Sequence, residues 1–226
     1  MKRLFCLLFF CMACLSAGAQ WKWQNPMDAG FPVVQNQGWP DEIGYKYVRL
    51  PDRAEKEIRP AVWNLSRNSA GLAIHFYSNA PQITVRYKVS GGLNMPHMQS
   101  TGVSGVDLYS IDSDGKWGFC FGNYSFGDTI TYSYRNLGQD SYHNRGFEYR
   151  LYLPLYNTVE WMEIGTPEDS ELTFIPQSPE KPVVLYGTSI AQGACSSRPA
   201  MACNVRWAIR LSTWDFPETG NWKRKC

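Results

Sequence analysis

The sequence predicts a mainly β protein: an antiparallel, jelly-roll-like β-sandwich, followed by the first strand of an α/β unit that is cut short. Three observations carry this. From residue 45 to residue 165, eight short runs are rich in Val, Ile, Thr and aromatic residues and largely alternate in polarity. Turn formers such as "SNAP", "DSDG" and "NYSFGD" separate most of them, as in sandwiches and jelly rolls. After Pro182 the alternation stops and "VVLY" begins, a continuous apolar run of the kind a strand buried on both faces shows.

Taken in chain order, the first 19 residues read as an export signal. Lys2 and Arg3 form a basic start, "LFCLLFFCMACL" is apolar but short for a bilayer span, and Ala17 and Ala19 suit a cleavage site. A stop-transfer anchor and a lipoprotein site at Cys14 are weaker alternatives. Cleavage leaves a chain without a membrane span, and a periplasmic or extracellular location is expected. Residues 20–44, rich in Trp, Gly, Pro and Asn, read as a loop-rich opening segment. The strands of the sandwich are then expected in "YKYVRL", "LAIHFYS", "QITVRYKV", "SGVDLYSI", "KWGFCFG", "DTITYSY", "FEYRLYL" and "TVEWMEIG". The sandwich domain spans 20–175, and "PQSPEKP", residues 176–182, is a Pro-rich linker.

Composition narrows the function. With 44% hydrophobic and 15% aromatic residues, the 226-residue chain has enough apolar material for a packed core. Removing Lys2 and Arg3 from 22 basic groups leaves 20, against 20 acidic ones. No nucleic-acid partner is expected from that balance. Three of the seven cysteines fall in the signal. The other four, Cys120, Cys195, Cys203 and Cys226, fit neither a zinc pattern nor a disulfide scaffold. No metal or cofactor is expected.

The chemistry concentrates in "VVLYGTSIAQG", residues 183–193. A serine placed just after a parallel strand sits at the sheet edge where α/β proteins bind ligands. Its hydroxyl becomes a nucleophile when a base takes its proton and N–H groups receive the oxyanion. Gly187 and Gly193 leave room for a substrate beside Ser189. Taken alone, "GTS" is more often an ordinary turn. The longer context resembles the first block of the SGNH, or GDSL-type, hydrolases, with Thr188 where the family usually has Asp. Upstream, "GVDLY", residues 105–109, resembles the signature of the β-sandwich that precedes one branch of these exported bacterial esterases.

The resemblance implies an ester hydrolase acting on acyl groups, such as acetyl esters of a polysaccharide. Ser189 is then the nucleophile and its own N–H one oxyanion donor. The family's later blocks, a Gly donor, an Asn donor and an Asp-x-x-His pair, are not present in these residues. His75, His97 and His143 all lie upstream and read as strand or surface residues. Residues 183–202 therefore read as the start of the hydrolase domain, and 203–226 as a frameshifted tail. Regrouping the codons of residues 210–226 by one base forces Gly at Trp214–Asp215, Leu at Asn221–Trp222 and Glu at Trp222–Lys223. A legal path through the rest gives V-I-N-L-G-F-S-G-N-G-K-L-E-K-E-M, similar to the family's second block. An inactive, interrupted copy is the expectation.

Two other functions compete. Nine Trp and 13 Tyr could stack on sugar faces, as in a stand-alone carbohydrate-binding sandwich. A two-carboxylate glycosidase using Asp107 and Glu160 ranks last, because nothing in the sequence pairs them.

Overall fold

The structure, a computed structural model, describes residues 20–44, 46–111, 115–137 and 147–179. Eleven strands are seen there: β1 Trp21–Gln24, β2 Val34–Gln35, β3 Ala73–Ser78, β4 Ile83–Val89, β5 Asp107–Ile111, β6 Trp117–Cys120, β7 Gly122–Ser125, β8 Ile130–Tyr134, β9 Phe147–Tyr152, β10 Val159–Pro167 and β11 Leu172–Phe174. They form two antiparallel sheets. The first runs β1-β10-β4-β8-β7. The second runs β11-β3-β9-β5-β6, with β2 also on β3. The antiparallel sandwich is as the alternation predicts. The α/β strand expected after Pro182 lies outside the described residues, as do the signal and the tail.

Period-two patterning explains the core. In β3, Ile74 and Phe76 point inward and are fully buried. In β4 the inward set is Ile83, Val85 and Tyr87, and in β9 it is Tyr149 and Leu151. Side chains from both sheets join in one cluster, so neither sheet has an apolar face without the other. The ring of Phe76 stacks on Tyr149 at 5.6 Å and meets Phe174 edge-on at 6.5 Å.

Three local expectations differ from the structure. The opening segment is not all loop: β1 pairs with β10, with Trp23 opposite Gly165, and β2 pairs with β3. Its Gly and Pro residues hid two short edge pairings. Second, "NYSFGD" is not all turn. Residues 122–125 form β7, so the chain passes from the second sheet to the first through Phe121 alone. Third, "YKYVRL" forms no strand in its described part. Tyr47 makes one bridge to Val159. The buried Gln37 amide donates to the carbonyls of Lys46 and Val48, at 3.0 and 2.9 Å, and so does the work of a neighbouring strand. Short helices at Pro40–Ile43, Pro60–Ser66 and Ser100–Val103 also interrupt the strands. Pro occupies the first turn of the first two, where its missing N–H costs no bond.

Asn157 holds the loops at one end together. It is 2% exposed. Its Oδ1 accepts from the N–H of Gly91 at 2.9 Å. Its Nδ2 donates to the carbonyl of Gly92 at 3.1 Å and to Ser104 Oγ at 2.9 Å. Asn157→Ala strands these buried groups and is expected to lower unfolding stability by about 2–4 kcal/mol. Urea denaturation of the variant measures it, and a loss below about 0.5 kcal/mol would refute the role.

Candidate functional site

The "GVDLY" stretch is described in full and has a physical reading at each position. Val106 and Leu108 enter the core, 1% and 0% exposed. Asp107 and Tyr109 therefore face outward from the second sheet. Tyr109 packs edge-on against Phe119 at 5.4 Å and Tyr152 at 5.7 Å. Gly105 answers a close approach. A Cβ there would lie 2.3 Å from the carbonyl oxygen of Thr101 and 2.7 Å from the hydroxyl of Tyr132. Beside it, Tyr87 donates its hydroxyl to the carbonyl of Ser104 at 2.6 Å. The motif thus marks where the start of β5 is clamped onto the opposite sheet.

Across this outer face, register places His75 beside Arg150, and Arg150 beside Tyr109. His75 pairs with Glu148 through Nε2, and Arg150 Nη2 approaches its Nδ1 at 3.4 Å. The Arg150 guanidinium also lies 4.6 Å over the ring of Trp117. Burial first, then the charge of Arg150, holds the His75 pKa below its usual value of 6.5. The ring therefore resists protonation in the folded protein, whereas the unfolded chain takes up that proton as pH falls through about 6.5. Stability is present above that pH and is lost below it. His75→Gln should flatten the decline between pH 7.5 and pH 5.5 in urea midpoints, and an unchanged decline would contradict it.

On the outer face of the first sheet lies a second aromatic group. Trp21 stacks on Trp23 with centroids 5.9 Å apart, and the Arg86 guanidinium lies 3.8 Å from the Trp23 ring and 5.7 Å from the Trp161 ring. Glu163 accepts from Arg86 Nε at 2.6 Å. In sequence the only trace was "WKW" with Trp161 far downstream, where period-two spacing puts Trp21 and Trp23 on one face.

The chain leaves the sandwich along a fixed path. The N–H of Gln177 donates to the carbonyl of Pro32 at 2.8 Å, and its side chain to the carbonyl of Gln37 at 2.6 Å. A cavity of about 270 Å³ beside it is lined by Met27, Phe31, Pro32, Gln37, Pro40 and Asp41, among others, and none of these pairs a nucleophile with a base. Among the described residues no group of three His, Cys, Asp or Glu side chains is placed to hold a metal ion, and no helix is long and apolar enough to cross a membrane. Gly187, Ser189 and Gly193 lie outside the described residues. The structure therefore does not place the predicted nucleophile. Asp107 and Glu160 sit on strands β5 and β10 of different sheets.

Residues 21–172 match the family described as the GxDLY N-terminus of SGNH hydrolase-type esterases. The chain belongs to this family. Residues 180–210 of this SGNH-family chain also match the GDSL-like lipase/acylhydrolase family. A solved structure from Bacteroides ovatus, described as a GDSL-like lipase, is 30% identical with a TM-score of 0.68. The match covers 83% of this chain and 52% of that one. A salicylyl-acyltransferase from a tetracycline biosynthetic pathway is 13% identical, with a TM-score of 0.39, over 74% of this chain and 41% of that one. The chain thus spans about half the length of the solved structures it matches. No curated protein matches.

Proposed function

We propose that this chain is built as an exported serine ester hydrolase acting on acylated carbohydrate, with Ser189 as nucleophile. One observation carries the reading: Ser189 follows "VVLYG" inside the segment similar to GDSL-like acylhydrolases, directly after a sandwich of the GxDLY type. In this reading Ser189 attacks the ester carbonyl, its own N–H receives part of the developing negative charge, and Gly187 and Gly193 leave space for the acyl group. An acetyl ester on a sugar hydroxyl, or another small ester, is the substrate. The reading includes no nucleic-acid partner and no membrane span once the signal is cleaved.

Every histidine lies at or before position 143, within the span matched as the sandwich, and the Asp-x-x-His pair of the family is not among these residues. A frame change upstream of Arg210 accounts for this and for the patternless composition of residues 203–226. The coding DNA around codons 200–226 and beyond tests it. A shifted frame that reads Gly-Phe-Ser-Gly-Asn-Gly and later Asp-x-x-His supports the proposal, as does acetyl-ester hydrolysis by the restored chain. DNA without such a frame, or Ser189-dependent hydrolysis by the 226-residue chain itself, overturns the interrupted-copy reading.

A further inference from the structure

We propose that the outer face of the first sheet is a binding platform for a neutral polysaccharide strand. It rests on the carbohydrate part of the reading above. Register brings the components together: Trp23 lies opposite Gly165, and Arg86 opposite Glu163. Trp161 stands two residues from Glu163 on the same face. The result is a row of four planes, Trp21, Trp23, the Arg86 guanidinium and Trp161, with all four side chains only partly buried.

Two features show that the row is built in. A Cβ on Gly165 would lie 2.7 Å from the Trp23 ring, so glycine here is what lets the indole lie against the β10 backbone. Glu163 fixes the guanidinium at 2.6 Å, so Arg86 is oriented before any ligand arrives. Trp21 and Trp161 end the row and keep ring surface in partial contact with solvent.

The chemistry of the face selects the ligand. Indole planes stack against the C–H faces of pyranose rings. Beyond Arg86 the same face presents Thr131, Ser133, Asn123 and Ser125, side chains that exchange hydrogen bonds with sugar hydroxyls. The charge of Arg86 is matched by Glu163, which leaves Lys88, exposed opposite Trp161, as a single cation beside the row, too little charge to recruit a polyanion. A neutral glycan fits both parts of the face.

The test is native affinity electrophoresis of the 226-residue chain in gels cast with arabinoxylan, galactomannan or mixed-linkage β-glucan. Retardation is expected in at least one. Trp21→Ala and Trp161→Ala should each weaken it about tenfold, while Phe121→Ala should retard as the parent does. Trp21 lies in an edge strand, so its variant keeps the test decisive if Trp161→Ala fails to fold. No retardation in any gel, or full retardation of a folded Trp21→Ala, overturns the platform. If that happens while the restored chain still hydrolyses acetylated xylan, the platform fails and the ester reading stands. Trp21-dependent retardation without ester hydrolysis separates them the other way.

Discussion

Gly105→Ala is expected to be among the most damaging single-methyl additions to the sandwich. The new Cβ would meet the carbonyl oxygen of Thr101 at 2.3 Å and its carbon at 3.0 Å, both backbone atoms, and the Tyr132 hydroxyl at 2.7 Å. A flexible side chain can swing away from such a contact, but a backbone carbonyl moves only with its chain. That chain is the short helix Ser100–Val103, and the next residue, Ser104, is tied to Tyr87 through its carbonyl and to Asn157 through its hydroxyl. Relief therefore breaks buried hydrogen bonds or separates the sheets. The expected loss is about 3 kcal/mol or more, which for a chain of this size lowers Tm by roughly 6–12 °C. Gly102→Ala is the control, since nothing lies within 4 Å of a Cβ there. Its cost should stay below about 0.5 kcal/mol. Equal effects in the two variants would show that Gly105 is not set by close approach.

That glycine also shows what a sequence can and cannot say. "GVDLY" reads directly as a strand with Val106 and Leu108 on one side, and both are core. The need for Gly105 is invisible, because Tyr132 is distant in sequence and adjacent only after the sheets close. Strands β4 and β9 were legible because both neighbours of each are strands and one face packs in the core, which favours alternation; β3, buried on most of both faces, was legible from its β-branched and aromatic residues. Of the edge strands, β6 was legible in "KWGFCFG", but β1 and β7 were not. β1 has one partner and carries tryptophans on its solvent side. β7 is written in Gly, Asn, Tyr and Ser, residues that a turn uses equally well. The "YKYVRL" run fails for a different reason: the Gln37 side chain satisfies carbonyls that a second strand would have taken.

The proposed site divides in the same way. The proposed serine block is read from the sequence alone, because its pattern is local: apolar run, glycine, serine, small residues. The tryptophan row was not legible there, since it joins strands at the two ends of the sandwich sequence and needs the register of β1 on β10 to appear.

Ser189→Ala in the frame-restored chain is expected to lower kcat/KM for acetyl-ester hydrolysis on the order of 10⁴-fold or more. A methyl group cannot form the acyl intermediate, so the reaction falls back on whatever the oxyanion donors and substrate positioning supply to a direct attack by water. KM should change little, because the hydroxyl contributes more to the transition state than to the bound ester. Tm should change little too, because Ser→Ala removes one hydroxyl and no carbon. Thr188→Asp restores the residue the family usually has and should leave the reaction standing, which separates the nucleophile from its neighbour. The polysaccharide platform adds an internal control: Trp21→Ala should raise KM on acetylated polymer while leaving hydrolysis of a small acetyl ester unchanged. A Ser189→Ala chain that turns over as fast as its parent would end the assignment of Ser189, whatever the sandwich binds.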